Sequence, residues 1–477
     1  MRTARRRCDR ATRGGGGTMT KRMRLGVFEV AAVQVGGTLS WPHPRSRSIE
    51  YRDPRYWVEV AKLLDRSGFD FLFFAGGYGY PTVQGALHPL SVTGGINFPG
   101  IDPSYLIPVL AYETERLGFV FTSGTGLDHP VQTARTFATL DALTGGRVGW
   151  NIVTGSSQDA IAKLFGHDEM RQHDDRYDQA DEYLELALRY WQTAWDPDAV
   201  EEDREAVRYA DPEKVHKIEY AGEYYRSSGW FATPPSPQRT PVLFQAGTSA
   251  RGRAYAAHNA ECVFVQGTTV AATKANVADI RARAAAEGRD PGSIRIMVGV
   301  TVTVGETREA ALAQRAEFDA LQTDEVVNVL YSGNTGIDLL SLDPDRSLEQ
   351  LVSDGKVGQM GQSNIDRFLP KDGSPAPTVR EILDQLKGRG TRGFQVTGSV
   401  TEVADELEHL MDETDLDGFL LEPIFAPTDL EDFASWVVPE LRRRGRLPEE
   451  PSTGTLREQL IGTGPHLTNH FGAELAR

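Results

Sequence analysis

Short, almost wholly apolar runs alternate with helical patterns from about residue 24 to residue 422, and this alternation constrains the fold more than any other feature. Eight such runs begin near residues 24, 70, 119, 147, 241, 261, 294 and 418. A strand without polar alternation is buried on both faces, which is typical of a parallel sheet covered by helices. Eight repeats therefore predict an α/β fold, a closed TIM (β/α)8 barrel. An open Rossmann sheet is the alternative, but no G-x-G-x-x-G follows the first run.

The repeats are unevenly spaced, and the gaps predict insertions in a single barrel that covers residues 23–447. The insertions lie at about 81–100, 155–240 and 324–392. Residues 1–22 are rich in Arg and Gly, so we expect a disordered leader, or an untranslated one if Met19 or Met23 is the true start. Residues 448–477 are polar and are expected to form a C-terminal tail that packs on a neighbouring chain or stays loose.

Charge and cysteine content exclude several classes of protein. The net charge is −16, from 51 basic and 67 acidic residues, which argues against a nucleic-acid partner. No apolar run approaches the ~18 residues of a membrane span, so no membrane partner is expected. The two cysteines, Cys8 and Cys262, do not suggest a structural disulfide, and a reducing, cytoplasmic location fits.

Small polar residues end two successive apolar runs. Thr122 and Ser123 close one run, and Asn151 and Thr154 close the next. In α/β folds ligands sit at the carboxyl ends of the strands, so these groups are candidates for cofactor binding. An amide such as that of Asn151 can hydrogen-bond a flavin ring or ribityl chain, although a simple strand-end turn is the alternative.

Two further segments carry candidate site residues. His173 and Tyr177 are four residues apart at the start of a predicted helix, so they share a face. Together they could steady an anionic flavin or donate a proton, or they could be a plain surface pair. The segment Gly247-Thr248-Ser249 follows an apolar run and opens another helix, where free N–H groups can hold a phosphate. An ordinary capped helix is the alternative.

Other motifs are less informative. Trp41-Pro42-His43-Pro44 and Tyr78-Gly79-Tyr80-Pro81 follow the first two runs and form either walls of a substrate pocket or rigid loops. No Cys/His set with metal-binding spacing occurs, so no metal site is predicted. No G-x-S-x-G elbow is present, which argues against a serine hydrolase.

Several of these motifs, taken in order, resemble the bacterial-luciferase-like flavin monooxygenases. The resemblance rests on Thr122-Ser123, on the segment from Ala134 to Asp141, on Gly145 to Thr154, on His173-x-x-x-Tyr177 with Asp181-Glu182, and on Gln245 to Ser249 with Gly252-Arg253. It is closest to the branch of nitrilotriacetate, dibenzothiophene-sulfone, dimethyl-sulfide and long-chain alkane monooxygenases. It covers about residues 24–425.

The resemblance implies a two-component monooxygenase. A separate NAD(P)H:flavin reductase would supply reduced FMN (FMNH2), and O2 would form a C4a-hydroperoxyflavin that oxidises a small organic substrate at C, N or S, with or without C–N or C–S cleavage. It also implies a homodimer or homotetramer. Of the site residues, it implies catalytic roles for His173 and Tyr177. It implies FMN contacts for the following residues: Ala75, Thr122, Ser123, Asn151, Thr154, Tyr177, Gly247, Thr248 and Ser249.

The chain also departs from the family pattern at the flavin and substrate rim. Gly76 follows Ala75 where an acidic residue is usual, Gly124 and Gly126 replace serines, and Gly155 replaces the serine after Thr154. Two rival interpretations stay open. One is a deazaflavin-dependent oxidoreductase on the same barrel, and the other is a non-catalytic flavin-binding partner subunit.

Overall fold

The computed structural model describes residues 21–155, 158–247, 249–267, 269–353, 368–369, 375–390 and 392–475. Eight parallel strands close into a barrel, in which each strand pairs with its neighbours in chain order and the last pairs with the first. The predicted TIM barrel is confirmed. The barrel strands are β1 (Arg24–Val30), β2 (Phe71–Ala75), β3 (Gly118–Gly124), β4 (Val148–Val153), β5 (Val242–Ala246), β6 (Cys262–Val265), β7 (Arg295–Gly305) and β8 (Gly418–Leu421).

A ninth parallel strand, Phe394–Ser399, pairs with the carboxyl half of β7 and was not among the eight predicted runs. An antiparallel hairpin, Lys217–Ala221 with Arg226–Trp230, lies within the insertion at residues 155–240. Two smaller hairpins complete the strands, namely Thr82–Val83 with Ala86–Leu87 and Val200–Asp203 with Arg208–Ala210.

Helices surround the barrel, and local sequence signals set their ends. In the first helix Asp53 caps the start by accepting a hydrogen bond from the Arg55 amide, and Gly68 ends it in the left-handed region at φ 84°. The described α-helices are Pro54–Ser67, Pro89–Thr93, Ile107–Tyr112, Pro130–Leu143, Gln158–Leu164, His173–Thr193, Ala250–Asn259, Val270–Ala286, Arg308–Asp319, Asp324–Thr335, Leu348–Ser353, Val379–Leu386, Val400–Thr414, Thr428–Asp432, Val438–Arg443 and Leu456–Leu460. The helix His173–Thr193 is called the long helix below.

The C-terminal segment closes the amino end of the barrel, which differs from the expectation of a loose tail or a contact with a neighbour. Leu456, Leu460 and Ile461 pack with the inward-facing side chains of the strands, among them Phe71 and Val120. Arg457 is fully buried and forms an ion pair with Glu261 at 2.7 Å. Residues 456–461 are called the floor of the barrel below. The floor can be buried although the segment is polar in composition, because the charges of Arg457 and Glu261 compensate each other. The opposite, carboxyl end of the barrel is the mouth, where the strands present their polar ends.

Candidate functional site

Thr122 and Asn151 meet at the mouth. They are register partners on β3 and β4, and the Asn151 Nδ2 donates to Thr122 Oγ1 at 2.9 Å. The Thr122 hydroxyl in turn donates to the carbonyl of Phe74 at 3.3 Å. The Asn151 Oδ1 is buried and has no hydrogen-bond partner among the described residues. A buried acceptor that the protein leaves unmet needs a donor from elsewhere, and a flavin ring offers such an N–H.

Tyr177 brings three candidate residues together. Its side chain, on the first turns of the long helix, is 5% exposed, and its hydroxyl hydrogen-bonds with the side chains of Thr154 and Ser249. Burial raises the pKa of Tyr177 above its ordinary value, and these two hydrogen bonds oppose the rise only in part. The phenol is therefore neutral at physiological pH, and it ties the end of β4 to the loop that follows β5.

The loop after β5 comes close to this phenol. A Cβ at Gly247 would lie 2.6 Å from Gln245 Nε2, and one at Gly252 would lie 2.8 Å from the Tyr177 oxygen, so neither position has room for a side chain. Ser249 Oγ accepts from the Gly252 amide at 3.0 Å and caps the helix Ala250–Asn259. The amide groups of this helix start form a place for an anion such as a phosphate. Thr248, which was predicted to share this role, lies outside the described residues.

His173 lies at the rim of the site, beside Tyr177. The two rings meet edge to face with centroids 5.2 Å apart, and the His173 side chain is 37% exposed. Its Nδ1 is 2.7 Å from an Asp174 carboxylate oxygen. That bond favours the tautomer with the proton on Nδ1, which leaves Nε2 as an acceptor. The guanidinium of Arg251 lies over the Tyr177 ring, 5.4 Å from its centroid.

Ala75 and Ser123, the other two residues predicted to contact the cofactor, face opposite sides of the barrel wall. Ala75 ends β2 and packs against the cluster of side chains inside the barrel. Side chains alternate along a strand, so Ser123 points to the outer face of β3, opposite to Thr122. Its carbonyl accepts a hydrogen bond from the Trp150 indole at 3.0 Å. The structure thus brings Ala75 to the interior and does not bring the Ser123 side chain to Thr122.

Two buried polar residues of the site, Arg176 and Gln245, were not predicted as site residues from the sequence. Arg176 donates to the carbonyls of Thr154 and Gly155 at 3.4 and 3.0 Å, and burial lowers its pKa. Gln245 is 2% exposed at the end of β5, next to the Gly247 loop, and donates to the Ala246 carbonyl at 3.0 Å. A signal was present for both, since Arg176 directly precedes Tyr177 and Gln245 ends an apolar run.

The two loops considered as pocket walls differ. The Trp41 indole donates to the carbonyl of Gly94 at 3.1 Å, and the His43 ring stacks on Phe425 at 4.2 Å, so this loop is tied down by its own packing. Tyr78, by contrast, is 57% exposed at the mouth and meets the ring of Phe165.

A cavity of about 650 Å³ lies outside the barrel, between the long helix and the helix Ala250–Asn259. Its lining includes four carboxylates, and each has a partner. Asp181 pairs with Arg251, Glu185 with Arg189, and Glu287 with His258, while Glu182 accepts from the backbone amides of residues 223–225. Because these groups are already satisfied and repel an anionic flavin, we place the candidate site at the mouth instead. Within the described part of the chain, no helix has the length and apolar character needed to cross a bilayer.

Known proteins resemble this chain over most of its length. The family model for luciferase-like monooxygenase matches residues 23–414. The dimethyl-sulfide monooxygenase of Hyphomicrobium sulfonivorans is 37% identical, with 93% of this chain and 91% of that protein covered. The long-chain alkane monooxygenase of Geobacillus thermodenitrificans is also 37% identical, with 94% and 96% covered. Among solved structures, a riboflavin lyase (RcaE) with modified FMN and riboflavin superposes with a TM-score of 0.90 at 38% identity, with 96% and 100% covered.

Proposed function

Because the chain belongs to the luciferase-like monooxygenase family and is a flavin-dependent monooxygenase, we propose that its flavin is reduced FMN and that O2 is its second substrate. The organic substrate is a small molecule oxidised at C, N or S, with or without cleavage of a C–N or C–S bond. A separate NAD(P)H:flavin reductase supplies the FMNH2. The protein acts in the cytoplasm as a homodimer or homotetramer.

The unmet acceptor of Asn151 is the observation that carries the FMN proposal. Asn151 is 3% exposed, and its Nδ2 is already committed to Thr122, so its Oδ1 is oriented and free to accept from a flavin ring N–H. An amide left half satisfied in a buried position costs stability, and a site that binds a ligand is where such a cost persists. Thr122 and Ala75 supply the neighbouring wall.

The residues around Tyr177 then hold the other end of the cofactor. In this proposal the amides at the start of the helix Ala250–Asn259 and the hydroxyl of Ser249, which caps it, bind the phosphate. Tyr177, through Thr154 and Ser249, fixes the distance between the phosphate end and the ring end. Bound FMNH2 supplies the activation of O2, which no amino-acid side chain provides. The chain's own task is to orient the ring and the substrate and to exclude water.

His173 is proposed to act at the reacting edge. Its Nδ1 is held by Asp174, so the ring presents Nε2 as the nitrogen that can accept a proton from the reacting groups. Its partial exposure fits a group that lies between the flavin and the substrate entrance. Tyr177 positions this imidazole by the contact of the two rings.

The test is an anaerobic titration with FMNH2, followed by rapid mixing with O2 while near-ultraviolet absorbance is recorded. We expect tight binding and a transient absorbance distinct from that of oxidised FMN, which decays faster when a substrate is present. Binding without the transient would favour the deazaflavin oxidoreductase or the non-catalytic partner subunit. The absence of binding would refute the FMN assignment.

The same titration on Asn151→Leu, with Ser123→Ala as the matched control, tests the observation that carries the proposal. Leucine keeps the volume but removes both the acceptor and the bond to Thr122, so FMNH2 affinity should fall. Because the Ser123 side chain lies on the outer face of β3, the control should bind FMNH2 as the unmodified protein does.

A further inference from the structure

An aromatic pair lies at the mouth, on loops that follow β2 and β4. Tyr78 comes three residues after the end of β2, and Phe165 directly follows the helix Gln158–Leu164. Their ring centroids are 5.0 Å apart with an interplanar angle of 73°. Both rings are exposed, at 57% and 41%. Two loops that are 87 positions apart in sequence thus present one ring face and one ring edge at right angles, a corner into which a third flat ring fits.

Met170 lies close to the loops that follow β3 and β4. A Cβ at Gly155 would lie 3.0 Å from the Met170 Cε, and one at Gly126 would lie 4.0 Å from it. The methionine thioether therefore lies in front of the backbone that directly follows Thr154. Methionine is adaptable and packs well against ring edges, so it suits the wall of a pocket for an aromatic molecule. The glycine at position 155, which departs from the family pattern, provides the space that Met170 uses.

A carboxylate on the loop after β3 acts on the same corner. Asp128 is half-buried and follows by two residues Gly126, which faces Met170. Burial raises the pKa of Tyr78, and the charge of Asp128 raises it further. Among the described residues, no hydrogen bond or ion pair involves the Asp128 carboxylate, whereas buried carboxylates such as Asp70, Asp141 and Glu261 have such partners. Burial, with a smaller effect of Asp102, raises its own pKa. A partly buried carboxylate gains most from a donor, and none is supplied by its neighbours.

We propose that Tyr78, Phe165 and Asp128 form the substrate subsite, and that the substrate is a planar aromatic or heteroaromatic molecule with an N–H or O–H donor or a positive charge. The two rings hold the plane of the molecule, and Asp128 accepts its donor. A small thioether or a linear alkane would satisfy neither group. This inference rests on the proposed function, because it takes the mouth as the place where flavin and substrate meet.

The test measures binding of three probes to the FMN-loaded protein by equilibrium dialysis. The probes are 2-naphthol, which is planar with a donor, naphthalene, which is planar without one, and cyclohexanol, which has a donor but is not planar. We expect retention in that order. Phe165→Ala should weaken both aromatic probes about tenfold. In the unmodified protein, a charge-assisted hydrogen bond to Asp128 should make 2-naphthol bind about tenfold or more tightly than naphthalene. Asp128→Leu should remove this difference and leave the affinity for naphthalene unchanged.

Tyr112→Ala is the matched control, because this ring is 89% exposed on the helix Ile107–Tyr112, outside the corner. Equal binding of the three probes, or the same order in Asp128→Leu as in the unmodified protein, would overturn the subsite. FMN affinity is measured for each protein in parallel. Loss of FMN binding by the unmodified protein would instead overturn the proposed function, and the two failures are thereby distinguished.

Discussion

Replacing Arg457 by methionine should unfold the floor of the barrel at a lower temperature. The Arg457 side chain is fully buried, and its Nε and Nη2 donate to the two carboxylate oxygens of Glu261 at 2.7 and 3.0 Å. It also donates to the carbonyls of Thr240, Pro241 and Pro465. Methionine fills similar volume but leaves Glu261 as a buried charge without its cation.

Removing one partner of a buried ion pair costs about 3–5 kcal/mol. The unfolding entropy is about 2.1 cal/mol/K per residue, hence about 0.9 kcal/mol/K for a chain of roughly 450 ordered residues. The expected fall in Tm is therefore about 3–5 °C. The assay is calorimetry or circular dichroism of the FMN-free protein at pH 7.

Two variants separate this argument from a general effect of losing an arginine. Arg443→Met removes a side chain whose ion pair with Glu440 is on the surface, with the Arg443 side chain 71% exposed, and should leave Tm unchanged. The double variant Arg457→Met with Glu261→Leu removes the stranded charge and should recover much of the loss. If Arg457→Met and Arg443→Met had the same Tm, or if the double variant were no more stable than the single one, the reasoning would be refuted.

Four further predictions concern the site and the C-terminal segment. Tyr177→Phe removes two hydrogen bonds of about 1 kcal/mol each, so FMNH2 should bind roughly 30-fold more weakly in the anaerobic titration; unchanged affinity would exclude the bridging role. Ser249→Asp keeps a good helix cap but places a carboxylate near the phosphate, at a cost of about 3 kcal/mol. FMN should therefore bind on the order of 100-fold more weakly, whereas riboflavin, which has no phosphate, should bind as before. Equal losses for the two ligands would contradict the assignment of Ser249 to the phosphate. His173→Ala should lower product per flavin oxidised more than it lowers flavin affinity, and unchanged coupling would exclude a role at the reacting edge. Burial lowers the pKa of His470 to about 3, so below pH 6.5 the folded state binds fewer protons than the unfolded state. The free energy of unfolding should therefore fall as the pH falls from 6.5 towards 3, by about 2 kcal/mol at pH 5. In urea unfolding, the stability of His470→Gln should depend less on pH, and an equal dependence in both proteins would contradict the argument from His470.

The barrel could be predicted because its strands are buried on both faces, so each strand appears in the sequence as a dense apolar run. The strand Phe394–Ser399 lacks that signal, since it reads Phe-Gln-Val-Thr-Gly-Ser and pairs only with the carboxyl half of β7. The floor segment was missed for a related reason. Its burial depends on the pairing of Arg457 with Glu261, 196 positions away, and no local pattern reports such a pair.

The site was predictable to the extent that it follows from strand ends. Thr122 and Asn151 meet because they end neighbouring parallel strands, which the order of the runs already implied. The orientation of Ser123 depended on which residues of β3 face inward, and the sequence of a strand buried on both faces does not reveal this. The proximity of Tyr78, Phe165 and Asp128 arises from three separate loops, so only the folded barrel brings them together.

The floor has a consequence for attaching another protein to this one. Lys21 pairs with Asp415, and the amide of Met23 donates to the carbonyl of Arg446, so the first described residues lie at the amino end of the barrel, on the side of the floor. Residue 21 is therefore separated from the mouth by the height of the barrel, in a molecule roughly 55–60 Å wide for a chain of this length. A flavin reductase fused through a flexible Gly/Ser linker would need about 100 residues for its mean reach to cover that span. Shorter fusions would hold the reductase on the side of the floor, and FMNH2 released there would have to diffuse through the solvent to reach the mouth.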